Sequence, residues 1–277
     1  MATVEALKKN YLSTESDLII YSDGPLGLPE KTNAVNSVRN FLKSVSGFRS
    51  ITINESEVNL GLAGSIVKGV SETVNKYGKV IVLEDDILTS PYFLQYMNDA
   101  LTIYEQEEQV MSISGYMYPH SERLPETFFF NVPLCWGWAT WKRAWDKYNG
   151  DSQYHVGHIS SISGWRDFNK FGGKYLERQL RKNASGIMNT WFINWHASVF
   201  ENNGFCLFPN RTLVNNIGFD QSGVNSPSTN AYFSNLAQEG IIVTKNALNE
   251  DRVAISIVKK FYFFKVNPYI RYLKKKL

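Results

Sequence analysis

The chain has 277 residues, 43% apolar and 14% aromatic, with a formal charge of +3, enough material to bury a full core in one large domain. It contains no 18-residue apolar run and opens on the polar MATVEALKKN, which argues against a spanning helix and a secretion signal and predicts a cytoplasmic protein. Cys135 and Cys206 lack metal-ligand spacing and read as free thiols, and the sequons at Asn54, Asn183 and Asn210 read as chance matches.

Apolar runs and helical stripes alternate through the first third. Leu18–Tyr21 reads as a strand closed by Ser22-Asp23-Gly24-Pro25, and residues 29–43 as a helix begun by proline, with Val35, Val38, Phe41 and Leu42 on one face. Ile51–Ile53 is the next strand. Asn59-Leu60-Gly61-Leu62 leads into a helix striped by Ile66, Val67, Val70 and Val74, and Val80–Leu83 is a third strand. This β-α-β-α-β order predicts a parallel sheet with its ligand site at the strands' C-terminal ends. Ser90 and Pro91 open a helix carrying Phe93, Met97, Ala100 and Tyr104.

Beyond residue 105 the periodicity fades. Val110–Ser114 and Phe128–Asn131 read as strands, and Lys174–Arg181 and Trp191–Glu201 as helices, the second closed by Gly204. Four tryptophans fall between Trp136 and Trp145. No repeat or linker marks a boundary, so residues 1–112 and 113–255 are expected as two halves of one domain. Residues 256–277 form a basic aromatic tail. From 259 onward it holds seven Lys and Arg and no acid, which suits attachment to an anionic membrane surface or a helix packed on the body. Nucleic acid is not expected as a partner, because the rest of the chain is net acidic.

The stretch VIVLEDDIL, residues 80–88, sets Glu84, Asp85 and Asp86 against the end of an apolar strand. Mutual repulsion there raises pKa values and costs stability, and a bound cation offsets that cost. Helix capping does not account for Asp85 and Asp86, since the following helix has Ser90 as its own start. Adjacent strand residues point to opposite faces, which disfavours a hydrolase carboxylate pair. There is no GxxxxGK[ST] loop. Carboxylate oxygens suit Mg²⁺ or Mn²⁺ completed by substrate phosphates, leaving a nucleotide-diphosphate substrate as the remaining class.

Five stretches together resemble GT-A glycosyltransferases, in particular the N-acetylglucosaminyltransferase I-like group and related bacterial polysaccharide enzymes. They are DLIIYSDGP (17–25), NLGLAGSIVKGV (59–70), VIVLEDDI (80–87), CWGWATW (135–141) and LVNNIGFDQSG (213–223). The resemblance implies an α/β, Rossmann-like mixed sheet flanked by helices. Relatives begin with an apolar strand ahead of the helix that TVEALKKN resembles, so the usual first strand is expected to be missing.

By the same resemblance the chain is a metal-dependent inverting transferase of surface polysaccharide assembly, using a nucleotide-diphosphate sugar, UDP-sugar favoured, and a glycan or lipid-linked acceptor. Asp23 and Gly24 fall near the base, and Asn59 and Gly61 beside the nucleotide. Asp86 is the direct ligand of Mn²⁺ or Mg²⁺, with Glu84 and Asp85 close to sugar and ribose hydroxyls. Trp136, Gly137 and Trp138 wall the acceptor side, the glycine admitting close backbone approach and the indoles stacking on sugar faces. Asp220 is the first candidate for the general base, followed by Asp146 and Glu201.

Asn189 and Asn225 stand where relatives often carry an acid and a histidine. A non-catalytic nucleotide- or carbohydrate-binding protein with the same fold is the main alternative. A nucleotidyltransferase is a third, disfavoured by the missing Gly-rich triphosphate loop. The four histidines form no i,i+4 pair, and His155 and His158, three apart in a Gly- and Ser-containing stretch, are not expected to share a metal with an acid.

Overall fold

The computed structural model describes residues 1–27, 29–171, 173–219 and 231–266. Helix α1 (Ala2–Lys8) and a 3-10 turn (Ser13–Glu15) precede strand β1 (Asp17–Ser22), helix α2 (Pro29–Leu42), β2 (Ser50–Glu55), α3 (Gly61–Tyr77) and β3 (Lys79–Val82). Then come β4 (Ile87–Thr89), α4 (Phe93–Ile103), β5 (Val110–Ser114), β6 (Thr127–Phe130) and β7 (Trp138–Trp141). Helices α5 (Lys142–Trp145), α6 (Ser152–Ser161), α7 (Trp165–Phe168), α8 (Tyr175–Ala184) and α9 (Trp191–Glu201) follow, and β8 (Phe205–Pro209), β9 (Val214–Asn216) and α10 (Arg252–Phe261) complete the elements.

The result is a mixed α/β fold whose principal sheet is five-stranded, in the order β3-β7-β5-β8-β6. β5 and β8 run parallel and the other pairings are antiparallel. β1 and β2 pair in parallel from Asp17↔Ser50 to Ser22↔Glu55, as a separate two-stranded ladder. β3 does not extend that ladder as expected. It pairs antiparallel with β7, Val80 opposite Thr140, because a short run such as KVIV satisfies a parallel or an antiparallel neighbour equally well and the apolar WATW strand supplies the partner.

Every residue of β5, β6 and β7 is buried. Strands covered on both faces do not alternate apolar with polar residues, which is why the period-2 signal disappears beyond residue 105. α4 covers one face, where the Trp141 indole donates to Leu101 O at 3.0 Å. On the other face Trp138 packs among Trp145, Trp191 and Trp195. A satellite core of Ile159, Phe168, Leu180, Ile193 and Ala197 joins α6 through α9.

Both expected subdivisions cut through continuous elements. The 112/113 boundary falls inside β5, and the 255/256 boundary inside α10, which buries Ala254, Ile257, Val258 and Phe261 against the body. α9 spans Trp191–Glu201 as expected, with its closing turn one residue before the glycine. Asn203 takes the left-handed turn at φ 50 and Gly204 N donates to Val199 O at 2.9 Å. Among the described residues no helix is long and apolar enough to cross a membrane.

α4 is capped from a distance. Ser90 Oγ accepts from Tyr92 N at 3.3 Å but donates its own proton to Ala237 O, while Asn10 Oδ1 accepts from Leu94 N at 2.9 Å. The Asn10 amide also donates to Thr89 Oγ1 at 2.9 Å and Ala6 O at 3.2 Å, so this buried residue fastens α1 to the start of α4. Asn10→Ala strands the Leu94 N–H and is expected to lower stability by about 2 kcal/mol. A urea midpoint that falls with unchanged slope checks it.

Candidate functional site

The three acids occupy the step between two sheets. β3 is paired with β7 up to Val82, β4 is paired with β9 from Ile87↔Asn216 onward, and between them Glu84, Asp85 and Asp86 form a turn. The turn is pinned through its backbone: Thr3 Oγ1 donates to Asp85 O at 2.6 Å and Ile217 N to Asp86 O at 2.8 Å. Asp85 is exposed, while Glu84 and Asp86 are half-buried.

Burial, followed by the charges of Asp86 and Asp85, pushes Glu84 up to about 7, and the Trp191 indole opposes the shift. Burial and then Asp85 raise Asp86, with the Asn216 side chain pulling it back. Asp86 Oδ1 is buried with no hydrogen-bond partner among the described residues. Among the described residues no Lys, Arg or His pairs with any of the three acids.

Gly218 closes over the acids. Its N–H donates to Asn216 Oδ1 at 2.7 Å, and a Cβ there would lie 2.4 Å from Asp86 Oδ2. Only glycine leaves room for that carboxylate. Cys135 is also close, its thiol raised by burial and then by Glu84 and Asp86. Sequence reasoning passed over Asn216, Gly218, Cys135 and Trp191 as site residues. The Asn-x-Gly spacing at 216–218 was the available signal, since an asparagine side chain often bonds the N–H two residues on.

Asp23, Gly24, Asn59 and Gly61 come together as one hydrogen-bonded unit. Asp23 Oδ1 accepts from Gly24 N and Leu60 N, both at 2.8 Å, and Oδ2 from Gly61 N at 2.9 Å. The Asn59 amide donates to Gly24 O at 2.8 Å. Gly24 lies so near the 58–59 backbone that a Cβ would meet Val58 C at 2.4 Å. In this arrangement the Asp23 carboxylate caps α3. Beside it, at the C-terminal ends of β1 and β2, is a cleft of about 40 Å³ lined by Ser22, Asp23, Asn54, Ser56, Leu60 and Lys68. Arg39 clamps its rim by donating to the carbonyls of Ser22, Asp23 and Ser56.

The tryptophan triplet divides. Trp136 is half-exposed, edge-on to Tyr116 at 4.7 Å, Phe219 at 5.3 Å and Tyr232 at 5.4 Å, and Phe219 places this corner next to Gly218 and Asp86. Trp138 is fully buried and stacks on Trp191 at 5.1 Å. Gly137, at φ 57, faces Val214 and Phe93, with no open space for a Cβ. The acceptor roles expected of Trp138 and Gly137 are therefore corrected to core packing. The left-handed turn at Gly137 interrupts the alternation and sends Trp138 beneath α9.

Among the candidate bases, Asp220 lies outside the described residues, as does Asn225. Asp146 is exposed and paired with Lys142 at 2.6 Å. Glu201 ends α9, roughly 15 Å along the axis from Trp191, held between His155 at 2.9 Å and His158 at 3.0 Å. That contact joins the two histidines to an acid distant in sequence. Neither Asp146 nor Glu201 belongs to the corner at Asp86. Among the described residues no three His, Cys, Asp or Glu groups converge as a metal cage.

No protein-family model matches the chain, and no curated protein matches it in sequence.

Glu84 makes this corner pH-sensitive. Its folded pKa of about 7 lies above the ordinary 4.5, so between these values the unfolded chain ionises while the folded chain keeps its proton. Stability falls as pH rises through that window and stays reduced above it. Glu84→Gln removes the effect. Without metal, its stability advantage over the wild type should grow from pH 4.5 to 7 and level off near 3 kcal/mol, on the order of 1.4 kcal/mol per pH unit. Parallel thermal melts across that range check it.

Proposed function

We propose that the protein is a metal-dependent GT-A glycosyltransferase. It transfers a sugar with inversion from a nucleotide diphosphate, UDP-sugar favoured, to a glycan or lipid-linked acceptor of surface polysaccharide assembly. The observation that carries this reading is the state of Asp86: a half-buried carboxylate with one orphaned oxygen, no cationic side chain paired with it among the described residues, and glycine at the point of closest backbone approach. An uncompensated carboxylate in such surroundings is costly, and a cation offsets the cost.

A hard divalent ion fits this donor set. Mn²⁺ or Mg²⁺ accepts few protein oxygens and fills its shell with phosphate and water, which suits one carboxylate better than it would a dedicated cage. Bound at Asp86, the ion supplies Lewis-acid stabilisation of the diphosphate leaving group.

The chain's own residues do the rest. Asn216 and Gly218 orient the Asp86 carboxylate and keep side chains away from it. Glu84, near its midpoint at neutral pH, can donate or accept a hydrogen bond at a sugar hydroxyl, and exposed Asp85 is available to the ribose. The Asp23 unit lies at the strand ends where the resemblance puts the nucleotide, and the Trp136 corner suits an acceptor sugar. Inversion requires one base at the acceptor hydroxyl, a role we assign to Asp220.

Thermal melting with Mn²⁺ and a panel of UDP-, GDP- and dTDP-sugars tests the reading. A true donor at a hundredfold excess over its Kd stabilises by about 2.7 kcal/mol, and the gain should vanish in Asp86→Ala. That variant should also melt higher than the wild type when both are metal-free. The absence of stabilisation by any nucleotide rejects the proposal. Stabilisation with no nucleotide released over long incubation assigns the non-catalytic binder instead.

A further inference from the structure

The outward face of α10 holds Arg252, Val253, Ser256, Lys259 and Lys260, while its other side packs inward. A π-type turn over Tyr262–Val266 continues the helix and turns two rings outward, Phe263 at 51% and Phe264 at 47% exposure, edge to face at 4.9 Å. From residue 259 to the end the chain carries seven of its 29 Lys and Arg and none of its 26 Asp and Glu. The acid paired with this face is Glu122, 3.6 Å from Lys260 in an exposed and hence weak pair.

We propose that this face docks on an anionic lipid bilayer. Phe263 and Phe264 enter the boundary between headgroups and acyl chains, and Lys259 and Lys260 meet the lipid phosphates. Exposed aromatic rings beside lysines held by no more than one weak, exposed ion pair among the described residues suit that boundary. A protein partner fits less well, since lysine is depleted from protein interfaces.

The face is fastened to the body. Tyr262 and Tyr118 share a hydroxyl contact at 3.0 Å, Phe261 lies 5.2 Å from Tyr232, and Tyr232 lies 5.4 Å from Trp136. On the transferase reading, an acceptor carried on lipid is met at the Trp136 corner without leaving the membrane.

Co-sedimentation of the full chain with vesicles tests the docking. Binding is expected to phosphatidylcholine vesicles containing about 30% phosphatidylglycerol and not to pure phosphatidylcholine, and to weaken as salt rises from about 0.1 to 0.5 M. Phe263→Ser with Phe264→Ser should weaken it at least about tenfold with an unchanged melting temperature, and Lys259→Gln about fivefold. Failure to sediment, equal binding to neutral vesicles, or indifference to the paired serine substitutions would each overturn the proposal. The assay contains neither metal nor nucleotide sugar, so its failure leaves the transferase reading standing, and the converse holds.

Discussion

Between Val82 and Ile87 the backbone leaves a ladder with β7 and joins one with β9, and Glu84 and Asp86 at that step lose water while no cationic side chain among the described residues pairs with them. The surrounding structure answers to this one desolvation. Asn216 and Gly218 crowd Asp86 with an amide and a bare Cα, Trp191 turns its indole to Glu84, and Glu84 stays partly protonated near neutral pH. Each response lowers the cost of the buried charge without cancelling it. The remaining cost, which a large core tolerates, is the physical ground on which the divalent-ion site is proposed.

Two aromatic groups meet this corner from different sides, and Gly137 is the hinge between them. On one side Trp138, Trp145, Trp191 and Trp195 lock the principal sheet to α9, whose first residue reaches Glu84. On the other, Tyr116, Trp136, Phe219 and Tyr232 lead outward to Phe261 and Tyr262. The first group is dry core and the second is partly open. A glycine at φ 57 sorts adjacent tryptophans between the two, because the left-handed turn breaks the strand's alternation.

Local signals were legible where local physics decides. β1, α2, β2, α3 and β3 lie where apolar spacing and Gly, Pro and Asx punctuation put them, and the acidic triplet was recognisable as an expense that local capping did not explain. Trp138 and Gly137 were misread because an aromatic in a core strand and one in a binding wall have the same composition. Their difference is which helix covers them, and that helix lies some 50 residues further along the chain.

By itself the sequence determined the early strand and helix order, the crowding of Glu84, Asp85 and Asp86, and the basic aromatic end, because these rest on period, propensity and charge among neighbours in the chain. Tertiary structure alone decided that β3 pairs with β7, that Asn10 caps α4, that Glu201 sits between two histidines, and that Gly218 closes on Asp86. Those contacts join residues far apart in sequence. Nothing within a short window distinguishes the partner a group finds from those it does not, so only packing of the whole chain selects it.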